Sequence, residues 1–131
     1  MSAAKQSLRS AMVAHAPLYA LVGHRVYWDA PDNARLPTAP FIVLQQISAA
    51  PRYTWGGHAQ ITNRYQATIV ATDTAQAAAV FPALIGALQW FEDSSASIRQ
   101  CRMEAMSTQR QQDADAVVWF VDFLVTEDLI Q

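Results

Sequence analysis

The stretch AQITNRYQATIVAT, from Ala59 to Thr72, constrains the fold more than any other part of the chain. Ile61, Tyr65, Ala67, Ile69 and Ala71 fall on one side of it, and Gln60, Thr62, Arg64, Gln66 and Thr68 on the other. A period of two places successive side chains on opposite faces of a strand. One face must therefore be core and the other wet, and something apolar must cover the first. Asn63 is the one polar member of the inward set.

Four further segments read as strands. Arg25 to Asp29 is short, and Phe41 to Ser48 opens on Phe41-Ile42-Val43-Leu44, apolar on both faces. Both faces are expected to be covered at that end. Ile98 to Met106 places Cys101, Met103 and Ala105 inward. Ala116 to Thr126 puts Val117, Trp119, Val121, Phe123 and Val125 on one face and Val118, Phe120, Asp122 and Leu124 on the other, the pattern of a strand inside a sheet. Asp122 interrupts the most apolar strand; it is either satisfied within its own chain or faces a neighbouring subunit's arginine. Between strands, residues 30–40 are rich in proline, Asp and Asn, 49–59 form a long turn around Gly56-Gly57, and 107–115 form a polar turn. In the first of these, Pro37 and Pro40 sit at the entry of a strand, where the ladder has not yet begun.

Two long helices are expected. Ser2 to His15 carries Ala4, Leu8, Ala11, Met12 and His15 on one side and stops before Pro17, which starts a short second turn ending at Gly23. Asp73-Thr74 caps the second, which has no charged side chain through Phe91. Ala77, Phe81, Leu84, Leu88 and Phe91 form a large stripe, and Ala75, Ala79, Pro82 and Gly86 a small one. A helix uncharged on every side is expected to be buried on more than one side, so the small stripe is the candidate subunit-interface helix. Pro82 should kink or split it. Gln76, Pro82 and Gly86 interrupt it too often for a membrane span.

The element order is α-β-β-β-α-β-β, and the hairpin-length links predict an α+β fold. A single domain over residues 1–131 carries a mainly antiparallel sheet of about five strands, with two main helices packed on one face. The chain is 52% hydrophobic and 15% charged, enough for one core, and such a low charged fraction suits a surface covered in an assembly. Net charge is −2 with no basic run, which removes a nucleic-acid footprint. Residues 1–72 hold six basic groups against two acidic ones, and residues 73–131 three against nine. Either the halves interleave in one sheet or complementary faces meet between subunits. The N-terminus lacks an apolar segment of signal-peptide length, so synthesis in the cytosol is expected.

Catalytic signatures do not emerge. The single cysteine, Cys101, is inward-facing, and His15, His24 and His58 have no metal-site spacing. No nucleophile elbow or phosphate loop is present, so neither an enzyme nor a cofactor is expected. Turn tips usually carry polar residues, so the cluster Arg52, Tyr53, Trp55 and His58 stands out as a candidate partner-contact loop; the competing reading folds Trp55 back onto its own sheet.

Three stretches in order, Leu21 to Tyr27, Leu36 to Ile47 and Arg64 to Thr74, resemble the small tail-completion, or tail-terminator, proteins of long-tailed bacteriophages and prophages. The resemblance spans essentially the whole chain: LYALVGHRVY, then LPTAPFIVLQQI, then RYQATIVATD, an alanine-rich helix and two closing strands. The uncharged helix with Pro82 departs from the family pattern, and the 107–115 loop is generic. The resemblance implies a structural virion protein: a subunit of a homo-hexameric ring that caps the head-proximal end of the tail tube, stops its polymerisation and helps join tail to head. Its implied partners are copies of itself, the tail tube protein and a head-completion or neck protein, with DNA only as passing cargo and no membrane. Its implied location is the host cytoplasm during assembly and then the virion. The alternatives are a head-completion, neck or tail-tube subunit, and a small ligand-binding or enzymatic α+β domain.

Overall fold

The computed structural model describes residues 3–29, 38–53, 59–111 and 116–129. Helices α1 (Ala3–Ala14) and α2 (Ala16–Val22) precede strands β1 (Val26–Trp28), β2 (Phe41–Tyr53) and β3 (Ala59–Ala71). Helix α3 (Thr74–Leu88), a 3-10 turn (Ser94–Ala96) and strands β4 (Ile98–Gln111) and β5 (Ala116–Leu129) complete the order. The expected α+β class and element order are borne out.

The five strands form one sheet in the order β1-β2-β3-β5-β4. All neighbours are antiparallel except β1 and β2, which run parallel with Val26 opposite Ile42. The sheet is thus mainly antiparallel, as expected, with the β1–β2 pair as the exception. A parallel neighbour needs a crossover long enough to bring the chain back to the starting end of the sheet. Residues 29–40 supply that length.

Local chemistry sets the element ends. Pro17 sits in the first turn of α2, and Gly23, at φ 59°, closes the helix with its N–H on the Tyr19 carbonyl at 2.8 Å. Asp73 caps α3, its carboxylate accepting from the Gln76 N–H at 2.7 Å. Pro82 does not split α3, which runs unbroken through it. The carbonyl left without its donor belongs to Ala78, and both residues are exposed, so water can satisfy it. The helix ends at Leu88, so Phe91 belongs to the following loop.

Three strand expectations need correction. Strand β2 continues past Ser48 to Tyr53, crossing a bulge between Gln46 and Ser48. Pro51 is tolerated because β1 reaches only to Leu44, leaving the rest of β2 as a sheet edge. Strand β4 likewise runs on through Ser107 to Gln111, paired with β5. A second register shift, between Met103 and Ala105, turns Ala105 to the open face opposite Asp122. Cys101 is buried as expected, whereas Ala105 is exposed.

The core lies between the inner face of the sheet and the helices. Leu8 and Met12 of α1, Leu18 and Val22 of α2, and Val80, Leu84 and Leu88 of α3 pack on Ile42, Leu44, Ala67, Ile69, Val121, Phe123 and Val125. Each large side chain buried here is worth about 1.5–3 kcal/mol of transfer free energy. Strand β5 lies between β3 and β4, the interior position its two apolar faces suggested.

Candidate functional site

The sheet organises two polar clusters, one on each face. On the inner face, beyond the apolar core, Asn63 is 4% exposed. Its side-chain oxygen accepts from Gln46 Nε2 at 2.8 Å, and its amide donates to Glu127 Oε2. The Tyr65 hydroxyl donates to the same carboxylate oxygen at 3.3 Å. Burial pushes the Glu127 carboxyl up; the bonds from Asn63 and Tyr65 and the charge of Lys5 pull it partly back. Burial, then the Glu127 charge, raises the Tyr65 phenol. Lys5 stands 5.2 Å from the Trp28 ring centre, and the Trp28 indole donates to the Lys5 carbonyl at 3.1 Å. This network joins α1 to four strands, β1, β2, β3 and β5, and no buried side-chain polar atom is left unpartnered among the described residues.

On the open face, Arg64 meets Asp122 at 2.8 Å, and Gln66 Nε2 donates to the other carboxylate oxygen at 3.1 Å. Asp122 is thus satisfied within its own chain. The pairing of β3 with β5, and of Arg64 with Asp122 across it, brings the two charge halves together within one sheet.

Neither cluster resembles a reaction centre. Cys101 is fully buried, and burial pushes its thiol up to about 12, which holds it as an unreactive thiol. His15 packs on α3, and His24 stacks edge-on against Tyr19 with ring centres 5.2 Å apart. No group of three metal-ligating side chains converges among the described residues. Among the described residues no helix is long and apolar enough to cross a membrane.

The interaction surfaces read from sequence fare differently. Trp55 and His58 lie outside the described residues, and Arg52 and Tyr53 are described only in backbone, pairing with Gln60 and Ala59 at the end of the β2–β3 hairpin. On α3 one side alone is buried by the chain itself, which leaves the candidate subunit-interface face open. Ala77, Val80, Leu84 and Leu88 are buried, but Ala75, Ala79, Pro82 and Gly86 are exposed, together with Ala78. The large stripe therefore shifts by a residue, to Val80 rather than Phe81. Alanine tolerates either environment, so the absence of charge did not fix the burial of this face. Gly86 has an additional role: a Cβ there would come within 3.0 Å of His15 Nε2, so its smallness lets the α1–α2 junction approach α3.

One surface residue that the sequence reading passed over is conspicuous. Trp90 is 65% exposed and sits at φ 63°, in the left-handed region. It follows the end of α3, where its run with Phe91 looked like continued helix. The signal available was a Trp-Phe pair immediately before Glu92-Asp93, at a place where a helix must stop.

Against known proteins, the model of the family described as tail completion protein gp17 matches residues 6–128. Among solved structures, a chain from the virion of a native gene transfer agent particle is similar in fold, with a TM-score of 0.75 and 20% identity, over 93% of this chain and 92% of that one. No curated protein matches the sequence.

Proposed function

Because the chain belongs to the tail completion protein family, we propose that it is a structural virion subunit that assembles into a ring, commonly hexameric, on the head-proximal end of a tail tube. In this reading the ring stops tube polymerisation and forms part of the joint to the head. It assembles in the host cytoplasm and remains in the particle.

The observation that carries the reading is the outer face of α3. Ala75, Ala78, Ala79, Pro82 and Gly86 form an exposed, uncharged surface on a domain that already has a complete core. A ring uses head-to-tail contacts, so each subunit must present two different patches. The α3 face is one. The end of the β2–β3 hairpin, with Arg52, Tyr53, Trp55 and His58, is the other region offered, toward the tube or the neck protein. The described basic side chains suit a DNA conduit. Arg9 and Arg25 bond backbone carbonyls, Arg64 and Arg99 pair with carboxylates, and among the described residues no cationic stripe is left to hold passing DNA. The similarity in fold to a chain of a gene transfer agent virion agrees with a part of a virion.

The test mixes the purified protein with tail tubes and images the product. The reading predicts closed rings on one end of the tubes, and weaker docking with Trp55→Ala while the melting curve is unchanged. A protein that stays monomeric and never caps tubes contradicts the reading. Normal docking by the Trp55→Ala protein removes that residue from the contact.

A further inference from the structure

We propose that Trp90 and Glu92 form a receptor for an arginine side chain on a segment of a different protein. The inference begins with backbone strain. A non-glycine residue in the left-handed region carries a steric cost, and a bulky one is a genuine outlier. Core packing does not recover that cost, because the Trp90 side chain is 65% exposed. What the conformation achieves is position. The Trp90 N–H donates to the Cys101 carbonyl at 2.7 Å, and the preceding Gln89 side chain accepts from the Met103 N–H at 2.7 Å. The loop is thus clamped to β4, and the indole is held outward on a fixed base.

The indole forms one wall of an open groove of about 660 Å³ with Gln60, Glu92, Arg99, Gln100 and Thr126. Its charge is set by pairing. Arg99 is held by Asp128 at 2.5 Å, so that pair is neutral. Glu92 is exposed and makes no ion pair among the described residues. The groove therefore offers a π face, one free carboxylate and two side-chain amides. That set fits a guanidinium, which stacks flat on indole while bonding a carboxylate.

The occupant is assigned to a different protein because each cation whose side chain is described in this chain is already engaged; Arg35, Arg52 and Arg110 of a second copy are the competing occupants, which concentrating the protein alone separates. Arg9 and Arg25 hold carbonyls, Arg64 and Arg99 hold carboxylates, Arg102 lies 3.7 Å from Glu104, and Lys5 faces Trp28. The groove lies at the sheet end where β2 passes to β3 and α3 to β4, so it shares an end with the β2–β3 link. The assignment rests on the groove itself and not on the ring reading.

The test follows the tryptophan indole N–H signals by NMR, Trp90 being identified by its loss in Trp90→Phe, while N-acetyl-arginine amide is added to the full chain. The neutral control is N-acetyl-norleucine amide. The Trp90 signal should move saturably with the arginine probe and not with the control, and Glu92→Gln should weaken binding about two- to fivefold. Trp90→Ala should abolish the accompanying shifts of the Gln60 and Gln100 side-chain amides. If that variant unfolds, Glu92→Gln at the surface still decides the matter. No saturable shift, equal shifts with the neutral control, equal movement of Trp28 and Trp119, or an unchanged affinity in Glu92→Gln would overturn the proposal. So would movement of the Trp90 signal on concentrating the protein alone, which would make a second copy the occupant.

Discussion

Replacing Ala79 by glutamate separates what α3 does for its own domain from what it does for a neighbour. Ala79 is exposed near the middle of the helix, so in the isolated domain the change costs only the difference in helix propensity, about 0.4 kcal/mol. Unfolding entropy near 2.1 cal/mol/K per residue converts 1 kcal/mol into about 4 °C for a chain of 131 residues. The melting temperature should therefore fall by about 1–2 °C. In a ring whose subunits bury this face, the same carboxylate is desolvated without a partner. A penalty of about 3 kcal/mol weakens each contact by about 150-fold. Leu84→Ala, on the buried side of the same helix, is the counterpart. It should cost about 3 kcal/mol in the isolated domain, or about 11 °C. Thermal melts read the first quantity, and light scattering with electron microscopy of capped tubes reads the second. Rings and capping at the unsubstituted level in Ala79→Glu would show that neighbours do not use this face. A melting point as low as that of Leu84→Ala would show that Ala79 belongs to the core.

Two further predictions concern the inner-face network and the contact of α3 with the α1–α2 junction. The Glu127 carboxyl is raised above its ordinary value of 4.5 in the folded state, so its contribution to stability is fully present below that value and lost as pH rises through the raised one. Glu127→Gln keeps an acceptor for Asn63 and Tyr65 without the charge. Its stability relative to the unsubstituted protein should thus rise between pH 4 and pH 7 in urea melts; an unchanged difference at the two pH values would contradict the assignment. Gly86→Val forces a side chain against His15 and should cost about 1–3 kcal/mol. His15→Ala in that background should recover part of the loss in the same melts, and no recovery would place the strain elsewhere.

The parts of the fold legible in sequence are those where one face is buried and the other wet. Strand β3 shows this best: its alternation predicted the inward set, Asn63 included, and each inward residue of the apolar half is buried. Where strands leave the helix layer the signal fades. Ser48 to Tyr53 and Ser107 to Gln111 are small or polar and belong to strands only because β3 and β5 continue beside them. The bulge before Ala105 reverses a face without any mark in composition. Strand direction was equally hidden, since the three residues of β1 pair either way and the crossover decides. The candidate surfaces divide in the same manner. Asp122 was recognisable as a group in need of a partner, but only the register of β3 on β5 brings Arg64 within reach. The small stripe of α3 is exposed in the single chain, as a subunit-contact face would be, and alanine and glycine carry no imprint of whether a neighbour covers it. Trp90 escaped notice because an aromatic after an apolar helix reads as more helix, whereas its backbone angle decides its direction.

The central claim is that this chain ends a tail tube, and the growth of that tube in the presence of the protein tests it most directly. Tube subunits polymerised from an initiating tail tip, with the protein added during growth and the tubes imaged afterward, give both position and effect. The account predicts a ring at the end opposite the tip on every arrested tube, with elongation stopped once the ring is seated. Tubes that keep growing at the same rate, or the protein found along the tube wall or only on heads, would contradict it.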